Sequence, residues 1–109
     1  MMVIIESPFA GDFVKNREYA NECLRDSLLR GEAPFMSHIL YTEALDDTIP
    51  EERAIGIQAG LKVGQQASKT IVYTDLGISH GMELGIKSAE RNGRKVEYRT
   101  IQNPLVQGH

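Results

Sequence analysis

Thr70-Ile-Val-Tyr-Thr74, followed by Asp75-Leu-Gly-Ile-Ser-His-Gly-Met-Glu-Leu-Gly85, decides how the rest of the chain is read. The first segment is a short continuous apolar run, the pattern of a strand buried on both faces of a parallel sheet. Met82-Glu-Leu-Gly-Ile-Lys-Ser-Ala-Glu-Arg91 reads as a helix. A strand, a glycine-rich turn and a helix N-terminus are the usual place in an α/β sheet for a ligand with anionic or hydroxyl groups. Here the turn brings two acids toward one crevice, Asp75 at the strand end and Glu83 in the first helical turn. That pairing suits sugar or nucleotide chemistry.

The same alternation extends in both directions. Met1 to Ile5 is a first apolar strand, and Ser7 to Asp12 is the loop beyond its carboxyl end. From Phe13 to Leu29 apolar residues recur at helical spacing, with Asp12 or Asn16 as a cap and Arg30-Gly31 as the stop. Ala33 to Tyr41 is a second strand candidate whose Pro34 fits its start. Pro50-Glu-Glu-Arg53 opens a second helix, with Thr48 as its cap, running to about Ala67. Gly56, Gly60 and Gly64 form a stripe along it. Each costs up to about 1 kcal/mol against alanine, so the stripe implies close backbone packing or a break near Gly60. Arg94 to Ile101 alternates at period two as a last strand, and residues 102–109 carry no core signal. Strands alternating with helices predict a single domain over 1–109. Its fold is a small Rossmann/flavodoxin-like three-layer α/β architecture with a mostly parallel sheet of about four to five strands.

The bulk properties narrow the function. A chain of 109 residues with 41% hydrophobic residues and no tryptophan builds one modest core, and small size favours a homodimer or larger homo-oligomer. A net charge of −3 argues against general nucleic-acid binding. No apolar run approaches a membrane span, and the first residues turn polar too early for a signal peptide, which predicts a cytoplasmic protein. The single cysteine, Cys23, sits among apolar neighbours as a buried thiol. The three histidines lack ligand spacing, so neither metal nor cofactor is expected.

At the carboxyl edge of the sheet the chemistry has two readings per residue. Glu83 is a nucleophile held ionised by the helix N-terminus, or an acid that stabilises its own helix. Asp75 assists a leaving base or caps the turn. Gly77, Ser79, His80, Gly81 and Met82 line the turn, where amides and a hydroxyl suit phosphate or ribose, though any tight turn uses such residues. In the first loop Ser7, Gly11 and Asp12 suit sugar hydroxyls, and Phe9 stacks on a base or joins the core. His38 reads as a core histidine within an apolar strand. Arg53 meets an anionic ligand or one of the acids beside it.

Gly81-Met-Glu-Leu-Gly85, followed by Ala89 and Gly93-Arg-Lys-Val96, resembles the hallmark of the nucleoside 2-deoxyribosyltransferase family, including its deoxynucleoside monophosphate N-glycosidase branch. The resemblance is close from Asp75 to Val96 and topological elsewhere. It implies that Glu83 attacks the anomeric carbon of a nucleoside or nucleotide and displaces the base, giving a glycosyl-enzyme intermediate of the retaining kind. Asp75 would assist the base, and the Ser7–Asp12 loop would hold the sugar or its phosphate. It also implies sites completed by a neighbouring subunit, and standalone relatives of phage or bacterial origin. Gly56 to Lys69 offers no acid beside the base. The alternative is therefore a module that binds or sequesters a nucleotide-derived, ADP-ribose-like ligand in the same crevice without turnover.

Overall fold

A computed structural model of the chain describes residues 1–9, 11–36, 44–46 and 48–101. The elements run β1 (Met2–Glu6), α1 (Phe13–Leu29), β2 (Ala33–Phe35), α2 (Pro50–Gly64), β3 (Lys69–Tyr73), α3 (His80–Arg91) and β4 (Lys95–Arg99). All strand pairs are parallel, in the order β2-β1-β3-β4. From β1 the chain first steps outward to β2, then returns to the other side to form β3 and β4. The carboxyl ends of β1 and β3 therefore flank the point where the winding reverses, the usual ligand crevice of such sheets.

The period-two alternation of strands sorts residues between two helical layers. Val3, Ile5, Ile71 and Tyr73 face α1, where they pack with Tyr19, Ala20, Cys23 and Met36. Val72 faces the opposite layer and packs with Met82 and Ile86 of α3, with Val96 beside them. Ile4 and Glu6 share that parity. The Cys23 thiol is fully buried, and burial pushes its pKa up, so it behaves as an inert apolar side chain. No helix among the described residues is long and apolar enough to cross a membrane.

Local chemistry fixes the boundaries, in places differently from the sequence reading. Asp12, not Asn16, caps α1, its Oδ1 accepting from the Lys15 N–H at 3.1 Å. The helix ends at Leu29 with Arg30 as its cap, and the chain turns away at Gly31, whose φ of 88° strains any residue with a side chain. Thr48 does not cap α2. Its N–H and hydroxyl both donate to Asp46 Oδ1, at 2.9 and 2.6 Å, and Ile49 occupies the cap position with no side-chain bond. The glycine stripe does not break α2, which is continuous and ends at Gly64 rather than near Ala67. Ser79 caps α3 by accepting from Met82 N–H at 3.3 Å, which starts the helix at His80, two residues before the expected Met82. β2 is described only as Ala33–Phe35; the expected extension to Tyr41, with His38, lies outside the described residues, as does the tail 102–109.

Candidate functional site

The two acids singled out in the sequence do not meet. Asp75 leaves β3 with the parity of Ile71 and Tyr73, so its side chain turns toward α1. There Oδ1 accepts from the Tyr19 hydroxyl at 2.6 Å, and the Asp75 N–H donates back to the same oxygen at 3.0 Å. Both carboxylate oxygens also accept from the Ile101 N–H, at 3.1 and 3.2 Å. Burial, and then the bond to Asp75, push the Tyr19 phenol above its ordinary range. Asp75 is thus a latch joining β3, α1 and the backbone just beyond β4; these bonds neither cap its own turn nor bring it to the lining of the cavity beside α3.

Glu83 faces solvent. Its side chain is 57% exposed, with His80 Nδ1 at 3.9 Å from Oε1, a contact that is an ion pair only with the imidazole protonated. Helical phase explains this. Met82, Ile86 and Ala89 are the buried side of α3, and Gly81, Gly85 and Ser88 face a cavity beside it. At about 100° per residue Glu83 falls on the side away from that cavity. The expectation of a nucleophile projecting into an open pocket is corrected on this point.

The cavity lies between the sheet and helices α2 and α3, and measures about 430 Å³. This is within the range that encloses a small-molecule ligand. Ile4 and Glu6 of β1 form its floor, and Ser7 and Phe9 continue it past the strand end. One wall is α2, through Arg53, Gly56, Ile57, Gly60, Leu61 and Gly64; the other is α3 and its cap, from Ser79 through Gly81 to Gly85 and Ser88. Arg94 closes the deep end. Its Nη1 donates to the Gly64 carbonyl at 2.7 Å and its Nε to Thr70 Oγ1 at 3.0 Å. The guanidinium is therefore fixed, and burial lowers its pKa.

Glu6 is the chemically unusual member. Protein packs around it on every side except the cavity, through which part of the side chain stays accessible. Burial raises its pKa to about 8 against a smaller opposing pull from Arg94, so the carboxyl is neutral at pH 7. No described residue hydrogen-bonds or ion-pairs with it. The carboxyl group lies against the backbone of Gly85, where a Cβ would overlap it, with even the farther oxygen, Oε1, only 2.9 Å away. Glycine at 85 is thus a close-approach residue.

Of the expected ligand contacts, Ser7, Phe9, Ser79, His80, Gly81 and Met82 line this cavity. Phe9 also packs edge-to-face on Phe13, with centroids 6.3 Å apart, so its two readings coexist. Gly11, Asp12 and Gly77 do not line it. Asp12 is spent on the α1 cap, and Gly77, at φ 87°, closes a tight turn by donating to the Thr74 carbonyl at 3.0 Å. The sequence reading missed Glu6, Gly85 and Arg94 as site residues. An acid that ends an apolar strand at an inward parity was the available signal for Glu6. Among the described residues no group of three or more His, Cys, Asp or Glu side chains could hold a metal ion.

The fold and this site define a doubly wound parallel α/β domain with a ligand-sized cavity opening at the reversal point of its sheet. The chain belongs to the family described as Domain of unknown function (DUF7768), whose model matches residues 1–99. Among solved structures it is similar to the 2-deoxyribosyltransferase of the psychrotolerant bacterium Bacillus psychrosaccharolyticus. The TM-score is 0.73 at 14% identity, covering 97% of this chain and 80% of that one. At that identity the likeness is one of fold. Comparison with curated proteins finds no match.

Proposed function

We propose that the protein binds a nucleoside or nucleotide-derived small molecule in the α2–α3 cavity and recognises it without a glutamate nucleophile. The observation that carries this reading is the separation of the parts. The half-open, largely apolar volume suits a base, and its mouth at Ser7, Arg53, Ser79 and His80 suits ribose or phosphate oxygens. The acid expected to attack the sugar stands outside it. A nucleophilic carboxylate has to reach within about 3–3.5 Å of the anomeric carbon, and Glu83 is on the wrong side of its helix for that.

A second reading, N-glycosidic bond cleavage or base exchange, is favoured by two observations. One is the fold likeness to a 2-deoxyribosyltransferase. The other is Glu6, which as a neutral acid inside the cavity could protonate a departing base. One experiment separates the readings. The protein is incubated with the common deoxynucleosides and their 5′-monophosphates; binding is measured by calorimetry and the ligand is then analysed by chromatography. Recovery of bound ligand intact supports recognition. Free base that persists in Glu83→Gln but vanishes in Glu6→Gln supports the second reading. Free base lost in Glu83→Gln restores the nucleophile, and absence of binding to every ligand overturns both.

A further inference from the structure

Gly56 and Gly60 lie inside α2, where glycine is a poorer helix former than alanine. The cost is understandable if something flat occupies the space they leave. Gly56 and Gly60 line one wall of the cavity and Gly81 the other, while at Gly85 the Glu6 carboxyl itself lies against the backbone. Between them the Glu6 carboxyl rises from the floor with no hydrogen-bonding partner among the described residues. An unpartnered polar group in an enclosed site is unfavourable unless an occupant completes its bonds.

Resting on the proposed nucleoside reading, we propose that Glu6 is its specificity-determining residue. The base enters the slot between the glycine faces edge-first, and the carboxylic acid pairs with an adjacent donor and acceptor on that edge. The acid's O–H donates to a ring nitrogen and its carbonyl accepts from the neighbouring amino group, as the amidine edges of adenine and cytosine provide. No covalent bond changes and the proton stays on Glu6. The mouth then receives the sugar, and Arg94 remains fixed on Gly64 and Thr70 at the deep end. An ionised Glu6 offers no donor and sets a buried negative charge against the ring nitrogen, so binding weakens as the carboxyl deprotonates. Among the described residues, the other charged or titratable groups facing this volume are Arg94 before β4, Glu52 and Arg53 on α2, and His80 at the start of α3.

The test uses the full chain with deoxyadenosine and deoxycytidine, whose bases do not titrate above neutrality, at pH 6.5 and pH 9.5. It is run in the native sequence, in Glu6→Gln and in Glu6→Leu. A His80→Asn background removes the histidine from the comparison. The expected result is a loss of affinity of about tenfold or more at the higher pH, persisting in His80→Asn. Glu6→Gln, whose amide keeps one donor and one acceptor, holds affinity nearly level with pH, and Glu6→Leu weakens binding at both. Deoxyadenosine carrying two methyl groups on N6, which stays neutral but has no amino donor, binds no better to the native protein than to Glu6→Leu. Equal affinity at both pH values, or the same pH dependence in Glu6→Gln, overturns the inference and leaves the nucleoside reading standing. Failure of both nucleosides to bind at pH 6.5, where deoxyguanosine or thymidine binds, overturns the inference on base identity. Failure of all four overturns the reading on which it rests.

Discussion

Glu6 and Glu83 exchange the roles that their local sequence suggests, and side-chain direction is the reason. Glu83 sits beside glycines in a turn, where spacing alone cannot say which side of the helix it takes; the Ser79 cap starts the helix at His80 and sets that phase. Glu6 ends an apolar strand and, sharing the parity of Ile4, enters the cavity. Its protonation is linked to folding. The carboxyl titrates near 4.5 in the unfolded chain and at about 8 in the folded one, so between those values the native state binds more protons. Stability contributed by the neutral form is complete below about pH 4.5 and is lost as pH rises through 8, an effect of a few kcal/mol by linkage. Glu6→Gln is therefore expected to melt at a higher temperature than the native protein at pH 8, with the difference shrinking toward pH 5. A pH-independent difference in melting temperature would show that Glu6 is not held neutral. Glu83→Gln, altering an exposed side chain, is expected to shift stability by under about 0.5 kcal/mol and leave ligand affinity unchanged. Chemical denaturation and calorimetry read the two quantities.

Helix and strand positions were legible because each rests on a local pattern: apolar runs for β1 and β3, helical spacing for α1, turn residues around Gly31, Gly77 and Gly93. The boundaries that shifted did so where a side chain chose between two hydrogen-bonding partners, as Thr48 chose Asp46 over the α2 N-terminus. The glycine stripe of α2 was visible, but its purpose was not. Close packing and an open wall leave the same trace in a sequence; Gly64, where a Cβ would meet the Arg94 guanidinium at 3.3 Å, is of the first kind, and Gly56 and Gly60 line the cavity. Gly85 on α3 offers a test at this scale. Alanine is the better helix former by about 1 kcal/mol, yet its methyl would overlap the Glu6 carboxyl. Gly85→Ala is expected to retain the fold, to displace Glu6 into the cavity and to reduce ligand affinity at least about tenfold. The double variant Gly85→Ala/Glu6→Ala removes the collision. If the single variant binds as well as the native protein, the close approach of α3 to β1 is not as described.

The two faces of the molecule are held by different means, and this sets its response to acid and to ligand. On the α1 face, Arg99 at the end of β4 donates to Glu32 Oε1 and Oε2 at 3.0 and 2.9 Å. It also donates to Glu97 at 2.7 and 3.0 Å and to the Tyr73 hydroxyl at 3.1 Å. Tyr73 in turn donates to Asp26 at 2.6 Å. Charges far apart in sequence thus tie β4 to the end of α1 across the sheet, which no local pattern revealed. The Arg99 bonds hold the Glu32 carboxyl down to about 2 from an ordinary 4.5, so its contribution is present above pH 4.5 and is lost as pH falls toward 2. Glu32→Gln is expected to cost roughly 2–3 kcal/mol at pH 6, and less below pH 3, in denaturant titrations. On the opposite face Arg94 ties the Gly64 carbonyl to Thr70 at the end of α2, but α2 fully buries only Gly64, and the cavity separates its wall from Glu6 and Gly85. Local opening free energies follow buried contacts. The α2 amides are therefore expected to exchange with deuterium faster than those of α1 in the free protein. A ligand seated between α2 and α3 adds the missing contacts and slows exchange in α2 while leaving α1 unchanged. If a bound nucleoside leaves α2 unprotected and slows exchange in α1 instead, the ligand lies outside the cavity.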